Sequence, residues 1–125
     1  MTSAELAETQ NEDSKTETPF RRRFPRRQFN EPLGLLVRAK YFLVEGVEVG
    51  EGGMAFACDM ALDKGQKVVL SFFVPRQSFV SVTSEIIYLN PTPQRKGFIT
   101  YGIKYVNLDF DSQRMIRDYI ADKSD

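Results

Sequence analysis

The chain has 125 residues, of which 42% are hydrophobic and 27% charged, and this composition predicts one soluble globular domain. It contains no histidine and one cysteine, Cys58, which excludes an internal disulfide, a cysteine–histidine zinc site and an imidazole-based catalyst. Seventeen basic residues balance seventeen acidic residues, so the formal net charge is zero, but the charges are unevenly distributed along the chain.

The first thirty residues divide into an acidic and a basic segment. Residues 1–19 carry five acidic side chains against one lysine, whereas residues 20–30 carry five arginines and no acid. Few apolar groups and an excess of charge predict a disordered acidic tail over 1–19, which is either simply solvated or transiently covers the arginines. The ordered domain is predicted over 20–125, and it begins with an arginine-rich loop at 20–31.

From Leu33 onward, short apolar stretches with alternating polar residues predict β-strands. The predicted strands cover residues 33–44, 47–49, 54–58, 67–74, 79–89 and 98–106. Turns are predicted at 45–46, 50–53 and 63–65, and a polar connecting loop at 90–97. The apolar stretch 54–58 also predicts a buried, inert thiol at Cys58.

The end of the chain changes from strand to helical spacing. Apolar residues recur at helical intervals between Met115 and Ile120, with Asp111 or Ser112 as the expected N-cap, which predicts a helix over about 112–122. Short strands separated by turns and followed by one helix predict a mainly β protein, a small antiparallel β-barrel of about six strands with a C-terminal helix.

Several classes of protein are disfavoured by what the sequence lacks. No apolar run approaches the roughly 18 residues of a membrane helix, and no signal peptide is evident, so we expect a cytoplasmic protein without membrane insertion. Since no general base, activated nucleophile or metal-ligand set is visible, we expect neither an enzyme nor a metal or cofactor.

The cluster Arg21-Arg22-Arg23-Phe24-Pro25-Arg26-Arg27 is the first candidate binding element. Pro25 disfavours a helix, and in an extended chain Arg22 and Arg26 lie on the same side, about 13 Å apart. Guanidinium groups bind phosphate with a planar fork and can stack on a base. The cluster therefore suits a ligand with more than one anionic group, and the alternative is a solvated basic linker or a nuclear-type address.

The segment Glu48-Val49-Gly50-Glu51-Gly52-Gly53 is the second candidate binding element. Glycines permit positive φ angles and the close approach of a ligand to the backbone. The segment is neither a Walker loop nor a Rossmann fingerprint, because no Gly-Lys-Ser or Gly-Lys-Thr sequence and no helix pattern follows it. A tight turn between two strands is the alternative interpretation.

Taken in this order, the two elements resemble the motifs of the PilZ domain, a bacterial receptor module for cyclic di-GMP, and the resemblance extends over residues 20–120. The RxxxR motif of that family fits Arg22 to Arg26. Its (D/N)xSxxG motif aligns with Glu48 at the acidic position, Gly50 at the serine and Gly53 at the final glycine. A glycine-containing strand at 101–105 and the terminal helix also match. Glu48 and Gly50 depart from the family pattern, and each lost neutral hydrogen bond would cost on the order of 1 kcal/mol.

The resemblance implies a second-messenger receptor that binds cyclic di-GMP and orders its arginine loop to signal to an unidentified partner protein. The arginines would hold phosphates and stack on guanines, Glu48 would receive a guanine edge, and Gly53 would let the backbone approach the ligand. Tyr88 would lie over the ligand, or else be a half-buried barrel residue. The implied ligand-binding residues are Arg21, Arg22, Arg23, Arg26, Arg27, Glu48, Gly50, Gly53 and Tyr88.

Two other functions remain open at this point. The departures at Glu48 and Gly50 are what a PilZ-like protein-interaction scaffold that has lost nucleotide binding would show. The arginines together with exposed aromatic residues would also suit a nucleic-acid-binding barrel, the less favoured alternative.

Overall fold

The computed structural model of the chain describes residues 25–122, which form seven β-strands followed by one α-helix. The strands are β1 (Arg26–Gln28), β2 (Pro32–Val37), β3 (Lys40–Gly50), β4 (Gly53–Cys58), β5 (Lys67–Phe73), β6 (Phe79–Pro91) and β7 (Ile99–Tyr105), and the helix is α1 (Phe110–Ala121). The helix is too short to cross a membrane, and no other helix occurs in this part of the chain.

Six of the strands close into an antiparallel barrel in the order β3-β2-β5-β6-β7-β4, because β4 also pairs with β3. Strand β3 has 11 residues, so its first half pairs with β2 while its second half pairs with β4 and with the short strand β1. The predicted mainly β fold, a six-stranded antiparallel barrel with a C-terminal helix, is confirmed.

The core lies inside the barrel and is filled by alternate residues of each strand. In β4, for example, Met54, Phe56 and Cys58 belong to the core, whereas Ala55 and Ala57 face outward. Cys58 is a buried free thiol, as predicted, and burial raises its pKa. A thiol of this kind stays protonated and packs as a small apolar group.

The tight turn after β2 lies at Arg38 and Ala39, and not at Glu45 and Gly46 as predicted. Both turn residues have left-handed backbones, with φ angles of 53° and 65°. Two-residue hairpin turns of this kind normally contain asparagine or glycine, so the sequence Arg-Ala gives no turn signal. Strand β3 instead continues through Gly46, where a Cβ atom would lie 2.6 Å from the carbonyl oxygens of both Phe29 and Glu31.

Helix α1 begins at Phe110, two residues before its predicted start, and its N-cap is Asp109 and not Asp111 or Ser112. The Asp109 side chain accepts a hydrogen bond of 2.7 Å from the Ser112 amide, which satisfies one of the free donors of the first turn. Asp111 and Ser112 also have cap-forming side chains, but the apolar spacing places them inside the first turn.

The apolar face of α1 packs against one end of the barrel. Ile116 is buried, and Tyr119 packs edge-to-face on Phe29, with ring centroids 6.0 Å apart. Phe29 contacts Phe72 of the barrel core in the same geometry, at 5.9 Å. Since Phe29 directly follows β1, this packing holds the C-terminal half of the helix beside the arginine-containing strand.

Candidate functional site

The candidate site lies where β1 runs alongside the end of β3. In the register of this pair, Arg26 is opposite Gly50 and Gln28 is opposite Glu48. The second arginine of the RxxxR motif is therefore adjacent to the start of the glycine-containing segment. A groove of about 310 Å³ opens there, lined by Arg26, Arg27, Gln28, Val47 and Glu48.

Arg26 and Glu48 form an ion pair at the edge of this groove. The Arg26 Nη1 and Glu48 Oε2 atoms are 3.5 Å apart, and the two side chains are 27% and 20% exposed. The pair is neither fully exposed nor fully buried, so its contribution lies between that of a surface ion pair and that of a buried one.

Gly50 leaves the space that the Arg26 side chain occupies. A Cβ atom at position 50 would lie 3.3 Å from Arg26 Cγ, so the arginine stem crosses directly above the glycine. The Gly50 carbonyl accepts a hydrogen bond of 3.2 Å from the hydroxyl of Tyr105. Burial raises the pKa of Tyr105, with the positive charge of Arg26 opposing the shift, so this hydroxyl remains a neutral donor.

A row of outward-facing residues connects the ion pair to Tyr88 across the barrel surface. Glu48 pairs with Ala55, Ala55 with Gly102, and Gly102 with Tyr88. The Tyr88 ring lies directly on Gly102, where a Cβ atom would be 2.0 Å from the ring. Three strand spacings, about 14 Å, separate Glu48 from Tyr88. These four outward-facing positions form a strip in which Ala55 is buried and Gly102 is covered by the Tyr88 ring.

Two β-bulges aim the ends of this strip outward. The register shifts between Gly46 and Glu48 in β3, and between Ile86 and Tyr88 in β6. Without these extra residues, Glu48 and Tyr88 would follow the inward parity of Val44 and Ile86. Strand parity alone places Tyr88 among the inward positions; the bulge turns it to the outer face, where it is 37% exposed.

Gly50 and Gly53 of the second motif serve close packing, not unusual backbone angles. Positive φ angles among the described glycines occur at Gly65 and Gly97, and not at Gly50, Gly52 or Gly53. A Cβ atom on Gly53 would lie 2.0 Å from the Ile103 carbonyl oxygen of β7. The backbone that approaches Gly53 closely in this structure is therefore that of the neighbouring strand.

Arg27 lines the groove, but its guanidinium group binds the end of helix α1. Its Nη1 atom donates to the carbonyl oxygens of Tyr119, at 2.7 Å, and Asp122, at 2.8 Å. Its Cζ atom also lies 4.1 Å from the centroid of the Tyr119 ring. The remaining predicted ligand residues of this cluster, Arg21, Arg22 and Arg23, lie outside the described residues.

The structure thus brings Arg26, Glu48 and Gly50 together and places Tyr88 at the far end of the same outer strip. Sequence reasoning missed the residues that shape the strip and support its edge, which are Ala55, Gly102 and Tyr105. Outward positions with small side chains in a barrel strand are the signal that could have identified the first two. Within residues 25–122, no group of three or more potential metal-ligating side chains lies close enough to hold an ion.

A closed six-stranded antiparallel barrel with a terminal helix and an arginine-containing groove on its outer surface defines a small, mainly β protein. The chain belongs to the PilZ domain family, whose pattern matches residues 20–122. This family membership confirms the resemblance read from the two motifs.

Solved structures support the same fold at low sequence identity. The Bacillus subtilis inhibitor of motility (MotI/DgrA) is similar with a TM-score of 0.72 and 12% identity, over 81% of this chain and 50% of that one. The PilZ domain of Escherichia coli YcgR, solved with c-di-GMP, gives 0.62 and 14%, over 81% and 89%. The K. pneumonia MrkH–c-di-GMP complex gives 0.62 and 17%, over 79% and 50%.

The chain spans about half the length of MotI/DgrA and MrkH, and most of the YcgR domain. No curated protein matches the chain in sequence.

Proposed function

We propose that this protein is a receptor domain for cyclic di-GMP, which it binds in the groove between β1 and β3 and on the adjoining outer strip. The family assignment and the c-di-GMP complexes of similar structures support the ligand. The observation that carries the proposal is the position of Arg26, which lies over Gly50 with its guanidinium group 3.5 Å from Glu48 at the edge of an outer groove.

The chemistry of the ligand suits these side chains. Cyclic di-GMP is a ring with two phosphates and two guanine bases, so it offers anions for arginine and flat faces for stacking. Guanine also presents adjacent N–H donors along one edge, which the Glu48 carboxylate accepts. The ring of Tyr88, 37% exposed and lying over Gly102, offers a flat face for a base at the far end of the strip.

In this proposal, binding exchanges the partners of Arg26 and Glu48. A phosphate or guanine of the ligand replaces the Glu48 carboxylate beside Arg26, and the released carboxylate turns to the guanine edge. The exchanged contact is an ion pair of 3.5 Å between two largely buried side chains, so the ligand has to supply replacement partners to both Arg26 and Glu48. Micromolar affinity corresponds to a binding free energy of about −8 kcal/mol. Charge-assisted hydrogen bonds contribute about 1.5–3 kcal/mol each, so several of them account for much of this value.

The predicted first arginine of the motif, Arg22, with its neighbours Arg21 and Arg23, supplies the second cationic contact in this proposal. The ligand orders the arginine loop because it binds the closed loop better than the open one. Ordering changes the surface that the domain presents to a partner protein, which is how the bound state would be signalled.

Isothermal titration calorimetry of the full chain with cyclic di-GMP tests the proposal. We expect saturable binding with a Kd in the micromolar range, on the order of 1–10 μM. Cyclic di-AMP has the same charge and ring but no guanine edge for Glu48, so we expect it to bind at least about tenfold more weakly. Equal dissociation constants for the two dinucleotides would show that charge alone is recognised.

A protein-interaction scaffold without nucleotide binding is the second candidate function, and specific residues favour it. Gly50 lacks the hydroxyl of the family's serine, and Glu48 already contacts Arg26. Absence of heat with cyclic di-GMP at about 1 mM would support the scaffold and overturn the receptor, since that limit corresponds to only about −4 kcal/mol.

Shortening the acidic residue is expected to improve the receptor. In Glu48→Asp the carboxylate is one methylene shorter, so it withdraws from Arg26 and leaves the guanidinium group available to the ligand. We expect cyclic di-GMP affinity to rise about fivefold, equivalent to about 1 kcal/mol, measured by calorimetry. Glu51→Asp is the matched control, because Glu51 lies in the same segment and contacts Arg117, at 3.4 Å. Weaker binding by Glu48→Asp alone would mean that the longer carboxylate is the one that fits.

A further inference from the structure

Within the described residues, the last turn of helix α1 contributes no cation of its own. The last turn contains no basic residue, and Asp118 and the C-cap Asp122 place acidic side chains there. Free carbonyl groups give the end of a helix a partial negative charge, so acidic residues are unfavourable at this position and cations are favourable.

Arg27 supplies that cation from strand β1. One of its nitrogen atoms donates to the Tyr119 and Asp122 carbonyl oxygens at 2.7 and 2.8 Å, and its guanidinium carbon lies 4.1 Å from the Tyr119 ring centroid. Two charge-assisted hydrogen bonds and a stacking contact from one side chain make a specific connection between the strand and the helix end.

Arg27, which connects β1 to the helix end, is the direct neighbour of Arg26, the proposed ligand contact. Arg26 and Arg27 are neighbours in a strand of three residues, and successive side chains in a strand point to opposite sides. Arg26 accordingly covers Gly50 and contacts Glu48, while Arg27 reaches the helix. A second contact, from Arg117 of the helix to Glu51 at 3.4 Å, joins the same helix to the glycine-containing segment.

We propose that Arg27 is a positioning residue that links strand β1 to the end of helix α1, so that ligand binding and the stability of the last helical turn are coupled. This inference rests on the proposed function for its ligand-dependent part. Coupling between two sites is reciprocal, so a ligand that fixes β1 also fixes the helix end, and a partner that displaces the helix end weakens ligand binding. The helix end is then the surface through which a partner distinguishes the ligand-bound domain from the free domain.

Hydrogen exchange of backbone amides tests the link in the ligand-free protein. In Arg27→Met, which keeps the length of the stem and removes the guanidinium group, we expect amides of residues 119–122 and of residues 26–29 to exchange about fivefold faster or more. Arg27→Lys keeps the charge but not the planar fork, and we expect an intermediate effect.

Arg76→Met is the matched control variant. Arg76 contacts the same helix end, with Nη1 3.4 Å from Asp122 Oδ2, but it comes from the turn between β5 and β6. We expect this variant to speed exchange at the helix end and to leave residues 26–29 unchanged. If Arg27→Met also leaves residues 26–29 unchanged, the link does not exist and the inference is overturned.

The ligand-bound protein supplies the second arm of the test. Cyclic di-GMP is expected to slow amide exchange at residues 119–122 in the wild type and in Arg76→Met, and to lose this effect in Arg27→Met, with affinity lowered about five- to tenfold. If Arg27→Met leaves the ligand-free exchange unchanged and weakens binding as strongly as Arg26→Met, Arg27 is a ligand contact and the inference is wrong. If the wild type binds no cyclic di-GMP, the proposed function fails, and the ligand-free arm still decides whether Arg27 links strand and helix.

Discussion

Replacing Arg26 with alanine is expected to weaken cyclic di-GMP binding at least 100-fold. Arg26 is the described arginine whose guanidinium group faces the outer groove, where it lies beside Glu48 and above Gly50. Its loss removes a bidentate contact to phosphate or guanine, and two charge-assisted hydrogen bonds contribute about 3 kcal/mol or more together. A micromolar dissociation constant would move to about 100 μM or above, measured by calorimetry against the wild type.

An arginine of the helix provides the control for this substitution. Arg114 is exposed, and its guanidinium carbon lies 5.8 Å from the Phe110 ring centroid, so Arg114→Ala removes the same charge away from the groove. We expect Arg114→Ala to bind like the wild type within about twofold, because an isolated surface charge is largely screened. Equal losses in both variants would indicate general electrostatic attraction. An unchanged affinity in Arg26→Ala would place the ligand elsewhere and contradict the proposed site.

Arg26→Ala is expected to stay folded with a moderate loss of stability. The side chains of the ion pair with Glu48 are 27% and 20% exposed, so its loss costs about 1–3 kcal/mol of unfolding free energy, between the values for a surface and a buried pair. A variant that is fully folded at the temperature of the titration and has lost its affinity separates a binding role from a structural role.

The barrel was predictable because its residues alternate with the period of a strand. Stretches such as Lys67–Phe73 carry apolar side chains with few breaks and end at clear turn signals, so both the strand and its limits follow from the pattern. The same reasoning placed the helix to within about two residues of its bounds.

The features that the sequence did not reveal are those in which a single residue interrupts the two-residue alternation of a strand. The two bulges at Val47 and Ile87 turn Glu48 and Tyr88 outward, and a bulge leaves no compositional signature when the extra residue is aliphatic. The turn at Arg38 and Ala39 was missed for a related reason, because these residue types rarely adopt left-handed backbones.

The motif predicted which residues belong to the site, but not the direction in which each side chain points. Arg26 and Arg27 are chemically identical and adjacent, so RxxxR fits both Arg22 to Arg26 and Arg23 to Arg27. Both line the groove, but successive side chains of a strand point to opposite sides, and the Arg27 guanidinium group donates to carbonyl groups of the helix end. This favours the pairing of Arg22 with Arg26 as the ligand-binding motif, which stays a prediction.

Gly53→Ala is expected to be the most destabilising single-atom change in the site. The added Cβ would lie 2.0 Å from the Ile103 carbonyl oxygen, 3.0 Å from its carbonyl carbon and 3.1 Å from Lys104 Cα. All three are backbone atoms of β7, so no side chain can rotate away, and β4 has to move from its partner strand. We expect a loss of about 3 kcal/mol of unfolding free energy, at the upper end of overpacking effects.

Gly52→Ala is the control that separates this steric effect from the general effect of replacing a glycine in the turn. A Cβ atom on Gly52 would meet no atom within 4 Å, so Gly52→Ala is expected to alter the unfolding free energy by less than about 0.5 kcal/mol. Thermal unfolding resolves the two variants, since each kcal/mol shifts the melting temperature of a domain of this size by about 4–8 °C. Similar melting temperatures for the two variants would mean that β4 and β7 are not held as closely as the backbone contact requires. Because β4 begins at Gly53, a displaced strand would also move the glycine-containing segment, and Gly53→Ala is therefore expected to weaken ligand binding as well.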